Sequence, residues 1–458
     1  MIEVTLIDCC AVHPLAKAEH AAKTCYQGAI PDIGTGKDAS AAKFVKEKLF
    51  STGHHTTLQH SLFSFQVEGI AVGNVTFGLH LVSPFYNSDQ RSGRFCSDMF
   101  LNPDFERIGE YVQYFWPDER SGSIERAMSY LRHSVGVYVD NLERAAVVAE
   151  IMLREERKFA GKTVLGNARK IAQEQLRNLI PVVFPTGLVY TVVGSALVAL
   201  WESAWDPVMR RVTDLMRVAV LREYPEASFL FDPDRRRSKD RDWNPRIPEG
   251  PIGLLEEPAL ALLDIAHQEL FTMPATRDMH PVDRLHFLPE LMNNSMGRIV
   301  TRVGLSVATM GQDQRHRTVS RSEPVFLPSF YVPPIMKELG LHSEAEDILS
   351  RWLELDVSST LKTIMAPYGA MVSYEKSGSF NAVLHEQEKR LCFSAQQEIY
   401  NNNLQLREAI GAGNPESPLL GMFEPPCYRT GKCAEGARYC GRDISRRESA
   451  EYFPVRKV

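Results

Sequence analysis

Residues 179–201 read LIPVVFPTGLVYTVVGSALVALW and contain no charged side chain. A run of this length is long enough to cross a bilayer. Pro181 and Pro185 interrupt its first third, however, and glycine, serine and threonine dilute the remainder. We therefore predict a soluble protein in which a buried strand over 187–190 runs into a buried helix after Ser195.

Further elements follow on both sides of this stretch. Ile2–Cys10 and the alternating Leu62–Gly69 indicate strands. Apolar residues at helical spacing predict a long helix over Ser123–Arg157. In the later half the hydrophobic periodicity is less regular. It predicts helices over three ranges: Glu257–Phe271, Ser343–Leu361 and Asn381–Asn403. Strands of this kind combined with long helices predict an α+β fold with antiparallel sheets.

Composition supports an ordinary globular protein with two domains. The chain has 458 residues, 44% hydrophobic and 24% charged, with 52 basic and 57 acidic side chains and a net charge of −5. That balance argues against broad nucleic-acid binding but permits a local basic pocket for a phosphorylated ligand. A proline-rich, charged stretch divides the chain, so we expect domains at 1–228 and 253–420, a linker at 229–252 and a tail at 421–458. The N-terminal segment lacks a basic region, so we expect no signal peptide and a cytoplasmic protein.

Two short basic motifs carry the strongest functional signal. In Gln314–Ser320, the guanidinium groups of Arg315 and Arg317 flank the imidazole of His316 and form a compact cationic group able to grip a phosphate. A solvated basic turn is the alternative interpretation of this triplet. Ser92–Phe95 reads SGRF and offers a hydroxyl, a glycine and an arginine, a combination suited to anion binding but common in turns.

Together these motifs resemble the two halves of the signature of flavin-dependent thymidylate synthases, RHRxxSxNExSxRY. The resemblance extends to Arg177, four residues before Pro181, and to Arg390 followed by Ala395–Ile399, which is similar to the family's "R…AQxEI" helix. It therefore touches both halves of the chain, which looks like two tandem thymidylate synthase-complementing-type domains.

Each copy departs from the family pattern. In the first, Leu79-His80-Leu81 takes the place of the RHR triplet, and we expect His80 to be a core histidine with satisfied partners. In the second, the Ser and Arg positions fall on Val325 and Leu327. The resemblance implies one composite site per chain, with the triplet and Arg390 from the second half meeting Ser92, Arg94 and Arg177 from the first. The reciprocal site would be inactive. Degeneration of both copies is the alternative.

The resemblance also implies an activity and roles for single residues. In the family, FAD is reduced by NADPH and a one-carbon unit passes from methylenetetrahydrofolate to C5 of dUMP, giving dTMP. Seven residues would hold the nucleotide: Ser92, Gly93, Arg94, Arg177, Gln312, Arg315 and Arg390. Four would lie against FAD: His54, His316, Arg317 and Ser320. Arg315, His316 and Arg317 would be catalytic, because fixed cations stabilise the negative charge that builds up on flavin and uracil.

The tail adds Cys427, Cys433 and Cys440 within fourteen residues. This spacing matches no ordinary zinc pattern, because such patterns usually begin with two cysteines two to four residues apart. Together with Cys392 or a histidine, the three could bind zinc or an iron–sulfur cluster. Three unrelated reduced thiols are the favoured interpretation.

Three functions follow from these observations. The first is a flavin-dependent thymidylate synthase whose homodimer forms a pseudo-tetramer. The second keeps the flavin and the nucleotide pocket but modifies another pyrimidine nucleotide. The third is a non-catalytic relic that binds flavin or nucleotide, which the half-motif missing from each copy would explain. None of these expects a nucleic-acid or membrane partner.

Overall fold

The structure of the chain is a computed structural model. It describes residues 1–8, 12–25, 27, 30–35, 39–81, 86–93, 96, 98–236, 245–266, 297–416, 419–433, 435–436, 439–442 and 453–458. Arg94 and residues 237–244 of the predicted linker lie outside these ranges.

The first half of the chain forms a four-stranded antiparallel sheet. Its strands are β1 (Glu3–Asp8), β2 (Leu62–Ala71), β3 (Tyr86–Gln90) and β4 (Pro185–Val193), arranged in the order β1-β2-β4-β3. Alternating residues of β2 turn inward, so that Phe65 and its partner Tyr190 on β4 are both fully buried. The strands predicted at the positions of β1, β2 and β4 are confirmed, whereas β3 was not predicted.

Helices cover this sheet, and the longest runs from Ser121 to Glu156 and confirms the predicted long helix. The helices of the first half are α1 (Pro14–Thr24), α2 (Ala39–Phe44), α3 (Val72–Asn74), α4 (Asp98–Leu101), α5 (Phe105–Phe115), α6 (Ser121–Glu156), α7 (Lys162–Leu165), α8 (Ala168–Leu176), α9 (Gly194–Ser203) and α10 (Pro207–Glu223). Short π-helical turns span Val45–Phe50 and Val75–Leu79, and 3₁₀ turns span His55–His60, Arg177–Leu179, Pro225–Leu230 and Pro233–Arg235.

The uncharged stretch 179–201 behaves as expected. Strand β4 runs directly into α9, and both are largely buried. Among the described helices, none is both long enough and apolar enough to cross a membrane.

The second half forms a mixed six-stranded sheet. Its strands are β5 (Gly253–Leu255), β6 (Ala259–Ala266), β7 (Arg298–Ser306), β8 (Ser320–Arg321), β9 (Val325–Tyr331) and β10 (Ala370–Ser379). The order is β5-β9-β10-β7-β6, and β8 also pairs with β10. Because β5 is parallel to β9, the expectation of a purely antiparallel sheet is wrong for this half.

The helices of the second half differ from the predicted ranges. They are α11 (Val307–Asp313), α12 (Pro334–Glu338), α13 (His342–Leu353), α14 (Ser359–Ile364), α15 (Phe380–Arg390), α16 (Gln397–Gly413), α17 (Leu419–Met422) and α18 (Pro426–Thr430). The helix expected over Glu257–Phe271 is wrong up to residue 266, since Ala259–Ala266 forms β6, and residues 267–271 lie outside the described ranges. The helices expected over 343–361 and 381–403 are each broken in two, at 354–358 and 391–396.

Four strands of the second sheet are arranged in the same order as the four strands of the first. When each set is numbered along the chain, the strands lie side by side in the order first, second, fourth, third. These are β1-β2-β4-β3 in one sheet and β6-β7-β10-β9 in the other. In both halves the second strand runs directly into a helix, and so does the fourth.

The halves meet through reciprocal backbone contacts. Pro181 and Pro367 form an antiparallel bridge, flanked by hydrogen bonds from the amide of Val182 to the carbonyl of Ala366 (2.9 Å) and from the amide of Tyr368 to that of Ile180 (2.8 Å). The main apolar core contains residues of both halves, so they fold against each other as one body.

Candidate active site

The Arg315-His316-Arg317 triplet lies in a braced loop directly after α11. The Nε atom of Arg321 donates to the Asp313 carboxylate at 2.5 Å. Its Nη1 atom donates to the main-chain oxygens of His316 at 3.0 Å and Val319 at 2.8 Å. One guanidinium therefore ties both ends of the loop to the end of the helix.

A buried charged cluster, consisting of Asp313, Arg321, Lys376 and Glu386, supports this brace. The ammonium group of Lys376 donates to Asp313 and to Glu386, each at 2.5 Å, and the Tyr374 hydroxyl donates to Asp313 at 2.9 Å. Burial opposes ionisation of Asp313, but its two cations outweigh burial and hold its pKa well below the ordinary value. Burial raises the pKa of Glu386, although Lys376 opposes the shift.

Sequence analysis missed this cluster, although a signal for it existed. Tyr374 and Lys376 are two residues apart on β10 and are both buried. Two polar residues at this spacing on an otherwise apolar strand face indicate a buried polar network rather than a solvated edge.

Arg317 reaches into the first half of the chain. Its Nη2 atom donates to the carbonyl of Ser88 at 2.8 Å, and its guanidinium lies 5.2 Å from the centre of the Tyr86 ring. His80 hydrogen-bonds the Ser88 hydroxyl at 2.7 Å and stacks on Tyr86. The imidazole of His80 therefore has the hydrogen-bond and stacking partners that were expected of it. Burial, followed by repulsion from Arg317 and Arg315, lowers its pKa to about 3.

Gly93 and Arg177 adjoin each other on the first half's side of the candidate site. A Cβ atom added to Gly93 would lie 3.5 Å from Nη1 of Arg177 and 3.3 Å from the Phe100 ring, so the backbone of the SGRF turn closely approaches the guanidinium. Arg177 is buried, with its guanidinium 5.0 Å from the centre of the Tyr368 ring. Ser92 is partly buried in the same turn, and its carbonyl accepts from the amide of Cys96 at 2.9 Å.

Gln396 connects Arg177 to the second half. Nη2 of Arg177 lies 3.5 Å from the Gln396 side-chain oxygen, which also accepts a hydrogen bond from the Gln312 amide. Arg390 donates to the main-chain oxygen of Gln312 at 2.7 Å. Contacts thus run from Gly93 and Arg177 through Gln396 to Gln312 and Arg390. Sequence analysis quoted Gln396 within a motif but did not assign it to the site.

Glu398 explains why Gln396 lies there. Its buried carboxylate accepts from the Ser306 amide at 2.6 Å and from the hydroxyls of Ser306 and Thr309 at 2.5 Å each. These contacts pin the start of α16 to the start of α11. Gln396, the residue just before α16, is thereby held beside Gln312 on the neighbouring helix.

The remaining predicted residues have different surroundings. His316 is buried, its ring centre is 5.7 Å from that of His385, and its Nε2 atom has no hydrogen-bond partner among the described residues. Burial and the Arg390 charge lower its pKa well below the ordinary value, so it is neutral.

Arg315 and Ser320 are exposed. His54 is exposed in the first half, where its backbone contacts Leu49 and Thr57.

The positions predicted to form the reciprocal, inactive site are apolar in the structure. Leu79 is fully buried, and Phe77 lies 5.4 Å from Phe326, the residue between Val325 and Leu327. Phe326 in turn packs on Trp352, with 5.0 Å between the ring centres. Both contacts are between aromatic rings.

The tail cysteines Cys427, Cys433 and Cys440 are free thiols, as is Cys392. Within the part of the chain that the structure describes, no group of three or more histidine, cysteine, aspartate or glutamate side chains is arranged to hold a metal ion.

Comparisons with known proteins agree with the motifs. The family model Thy1, described as Thymidylate synthase complementing protein, matches residues 5–212. Two solved structures of thymidylate synthase X from Helicobacter pylori, both with FAD and dUMP, are 17% identical to this chain. One covers 52% of this chain and 100% of its own with a TM-score of 0.33, and the other covers 51% and 100% with a TM-score of 0.34. A search of curated proteins gave no match.

The family match covers SGRF and Arg177, the first-half residues on which the resemblance was built. Over residues 5–212 the chain therefore matches the family model of thymidylate synthase complementing proteins, in agreement with the resemblance of its motifs to flavin-dependent thymidylate synthases.

Proposed function

We propose that this protein is a flavin-dependent thymidylate synthase that transfers a one-carbon unit from methylenetetrahydrofolate to C5 of dUMP, with NADPH as reductant. One observation carries the proposal: a chain of contacts runs from Gly93 and Arg177 of the first half through Gln396 to Gln312 and Arg390 of the second. Each half thus supplies polar groups to one locus that the family motifs assign to the nucleotide.

The charges at this locus suit a nucleotide phosphate. Arg177 and Arg390 bring two guanidinium groups, and the exposed Arg315 follows Gln312 by three residues. Each charge-assisted hydrogen bond to phosphate contributes about 1.5–3 kcal/mol. Gly93 has no side chain between its backbone and Arg177, so its amide and the guanidinium can contact the same anion.

We further propose that the chain is a tandem duplication. The shared strand order and the reciprocal hydrogen bonds around Pro181 and Pro367 support it, because a two-fold contact between equivalent surfaces produces paired bonds of this kind. The domains would then be 1–228 and 253–420. The reciprocal position would contain Leu79, Leu81, Val325 and Leu327, whose lack of charge supports a single nucleotide site per chain.

The residues around His316 are compatible with FAD. The buried Nε2 atom of His316 has no partner among the described residues, which leaves one polar group available to the cofactor. When bound, FAD would supply the redox chemistry that reduces the transferred carbon. The roles of the chain would be to orient the uracil, to exclude water and, through Arg315 and Arg390, to stabilise negative charge on the ring. His54 would come from a second chain in a homodimer.

A nucleotide-binding protein without catalytic activity is the second candidate. One observation favours it: Arg317, assigned to the flavin by resemblance, donates to Ser88 and packs on Tyr86 of the first half. In this case the chain would bind dUMP through Arg177 and Arg390 but would not form dTMP. Comparing the binding of dUMP with that of dCMP in the calorimetric assay described next tests which pyrimidine nucleotide is bound.

The experiment compares dUMP binding by wild type, Arg177→Ala and Arg169→Ala in titration calorimetry. Arg169 lies on α8 near Arg177, but its side chain is 46% exposed and pairs with Glu143 on the surface. We expect Arg177→Ala to weaken dUMP binding about 10- to 150-fold and Arg169→Ala to leave it unchanged. Equal affinity in all three proteins would exclude this locus as the nucleotide site.

Catalysis is tested on the wild-type protein. Flavin absorbance that is bleached by NADPH in the presence of dUMP, followed by chromatographic detection of dTMP after addition of methylenetetrahydrofolate, would support the enzyme. Binding of dUMP without flavin uptake or product would support the non-catalytic alternative.

A further inference from the structure

Four cysteines line one cavity beside the candidate active site. Cys392 comes from the segment between α15 and α16, Cys427 from α18, and Cys433 and Cys440 from the residues that follow. All four are free and partly buried. The cysteines that sequence analysis treated as unrelated thiols therefore surround a common space, although 34 residues separate Cys392 from the next of them along the chain.

The cavity brings the four sulfur-bearing side chains together with Phe393, Tyr428 and Arg442. Four thiolates around one cavity would need cations or a metal to offset their mutual repulsion.

Three buried arginines lie around the cavity. Arg157, Arg442 and Arg456 are each less than 9% exposed, and all three pack on the ring of Phe393. Arg157 and Arg456 both donate to the main-chain oxygen of Val458, and Arg157 also donates to that of Cys440 at 3.2 Å. Arg442 lines the cavity itself, where its positive charge suits a neighbouring group of net negative charge.

We propose that Cys392, Cys427, Cys433 and Cys440 bind one metal centre through four thiolates. Thiolate ligands select zinc and iron–sulfur clusters, and with either of these a four-cysteine centre is anionic. The inference does not depend on the proposed enzymatic function, because it concerns a separate set of side chains.

The spacing of the cysteines along the chain favours a [4Fe–4S] cluster over a single zinc ion. No two of them have the two-to-four-residue spacing usual in structural zinc sites. The four thiolates of a [4Fe–4S] cluster bind four different iron atoms, so they lie further apart than the ligands of one tetrahedral ion.

The experiment measures iron, acid-labile sulfide and zinc in the full-length protein purified without oxygen. The variants are Cys427→Ser and Cys433→Ser, and the control is Cys25→Ser, an exposed free thiol at the end of α1. We expect about four irons and four sulfides per chain in wild type and in the control, and loss of both in the two variants. If the wild-type protein instead contains stoichiometric zinc and both variants lose it, the four-thiolate centre stands but the iron–sulfur cluster is overturned.

A second measurement covers variants that fail to fold. X-ray absorption at the metal edge of the wild-type protein should give a shell made up only of sulfur ligands. Absence of iron and zinc from the oxygen-free wild type, together with failure to take up iron and sulfide on reconstitution, would overturn the centre. Metal retained by Cys427→Ser and Cys433→Ser would also overturn it. If the metal is present but dUMP does not bind, the proposed function fails and this inference stands.

Discussion

Nη2 of Arg177 donates to the main-chain oxygen of Ala308 over 3.2 Å. Arg177 belongs to the first half of the chain, and Ala308 lies in the first turn of α11, at whose end the basic triplet begins. A cation assigned to the nucleotide by resemblance is therefore also a physical link between the two halves. Five predictions follow from this arrangement and from the groups around it.

Arg390 should be required for nucleotide binding. It donates to Gln312 at 2.7 Å beside the buried His316, so its removal takes a cation from the proposed phosphate position. We expect Arg390→Ala to weaken dUMP binding by about 10-fold or more in calorimetry. The adjacent Lys389 is exposed, and Lys389→Ala should bind as wild type does. Similar losses in both variants would argue against a specific role for Arg390.

Each chain should bind one nucleotide. The residues predicted for the reciprocal position, Leu79, Leu81, Val325 and Leu327, would offer no charge to a phosphate. Titration with dUMP should therefore reach saturation at one molecule per chain, and Arg390→Ala should weaken that single site. Two equivalents of dUMP per chain would contradict the assignment of one active and one inactive site.

The Asp313 carboxylate should be important for stability. It accepts from Arg321 and Lys376 in a fully buried position, and Asp313→Asn would leave both cations short of a counter-charge. We expect a loss of about 3–5 kcal/mol in the free energy of unfolding by denaturant. In the control Glu375→Gln, which breaks the exposed pair with Arg302, the loss should stay below about 1 kcal/mol. A small effect of Asp313→Asn would show that the brace is dispensable.

Stability should fall as the pH is lowered from about 6.5 towards 3. The folded protein keeps His80 neutral down to a pKa of about 3, whereas an unfolded chain takes up that proton near pH 6.5. The unfolded state therefore binds more protons across this window, and stability falls by up to about 1.4 kcal/mol per pH unit. His316 acts in the same direction. His80→Gln should make the slope shallower, and an unchanged slope would contradict this account.

Gly73 should tolerate no side chain. A Cβ atom there would lie 2.9 Å from Val182 and 3.1 Å from the backbone of Ile364, at the contact between the halves. We expect Gly73→Ala to cost about 1–3 kcal/mol of unfolding free energy through overpacking. Gly122, at the start of α6, has open space around it, and Gly122→Ala should be neutral or stabilising. Equal stability of the two variants would argue against close packing at Gly73.

The first half was more accessible to sequence analysis than the second. The alternation of Leu62–Gly69 and the helical spacing over 123–157 each match one kind of element, so local pattern was sufficient. Ala259–Ala266 reads ALALLDIA, a short apolar run that suits a helix or a strand equally well. Its pairing with β7, a contact that no local pattern encodes, makes it a strand.

The candidate site was predicted in part. Motifs identified Arg177, Gln312 and Arg390, which the structure brings together, because families keep the residue types that their ligands require. Gln396 could not be assigned, because its place depends on Glu398 holding two helix starts together across the fold. For a similar reason sequence analysis offered Cys392 only as one alternative partner of the three tail cysteines, since Cys392 and Cys440 are neighbours only after folding.

The bridge between Pro181 and Pro367 lies within a single polypeptide. Where such a surface joins separate identical subunits, dilution can undo it, and any mutation appears on both sides at once. Here the local concentration of one half around the other is set by the connecting segment, whatever the amount of protein in the cell. Under the proposed duplication each half can also change alone, so that residues lost from one half can be retained by the other.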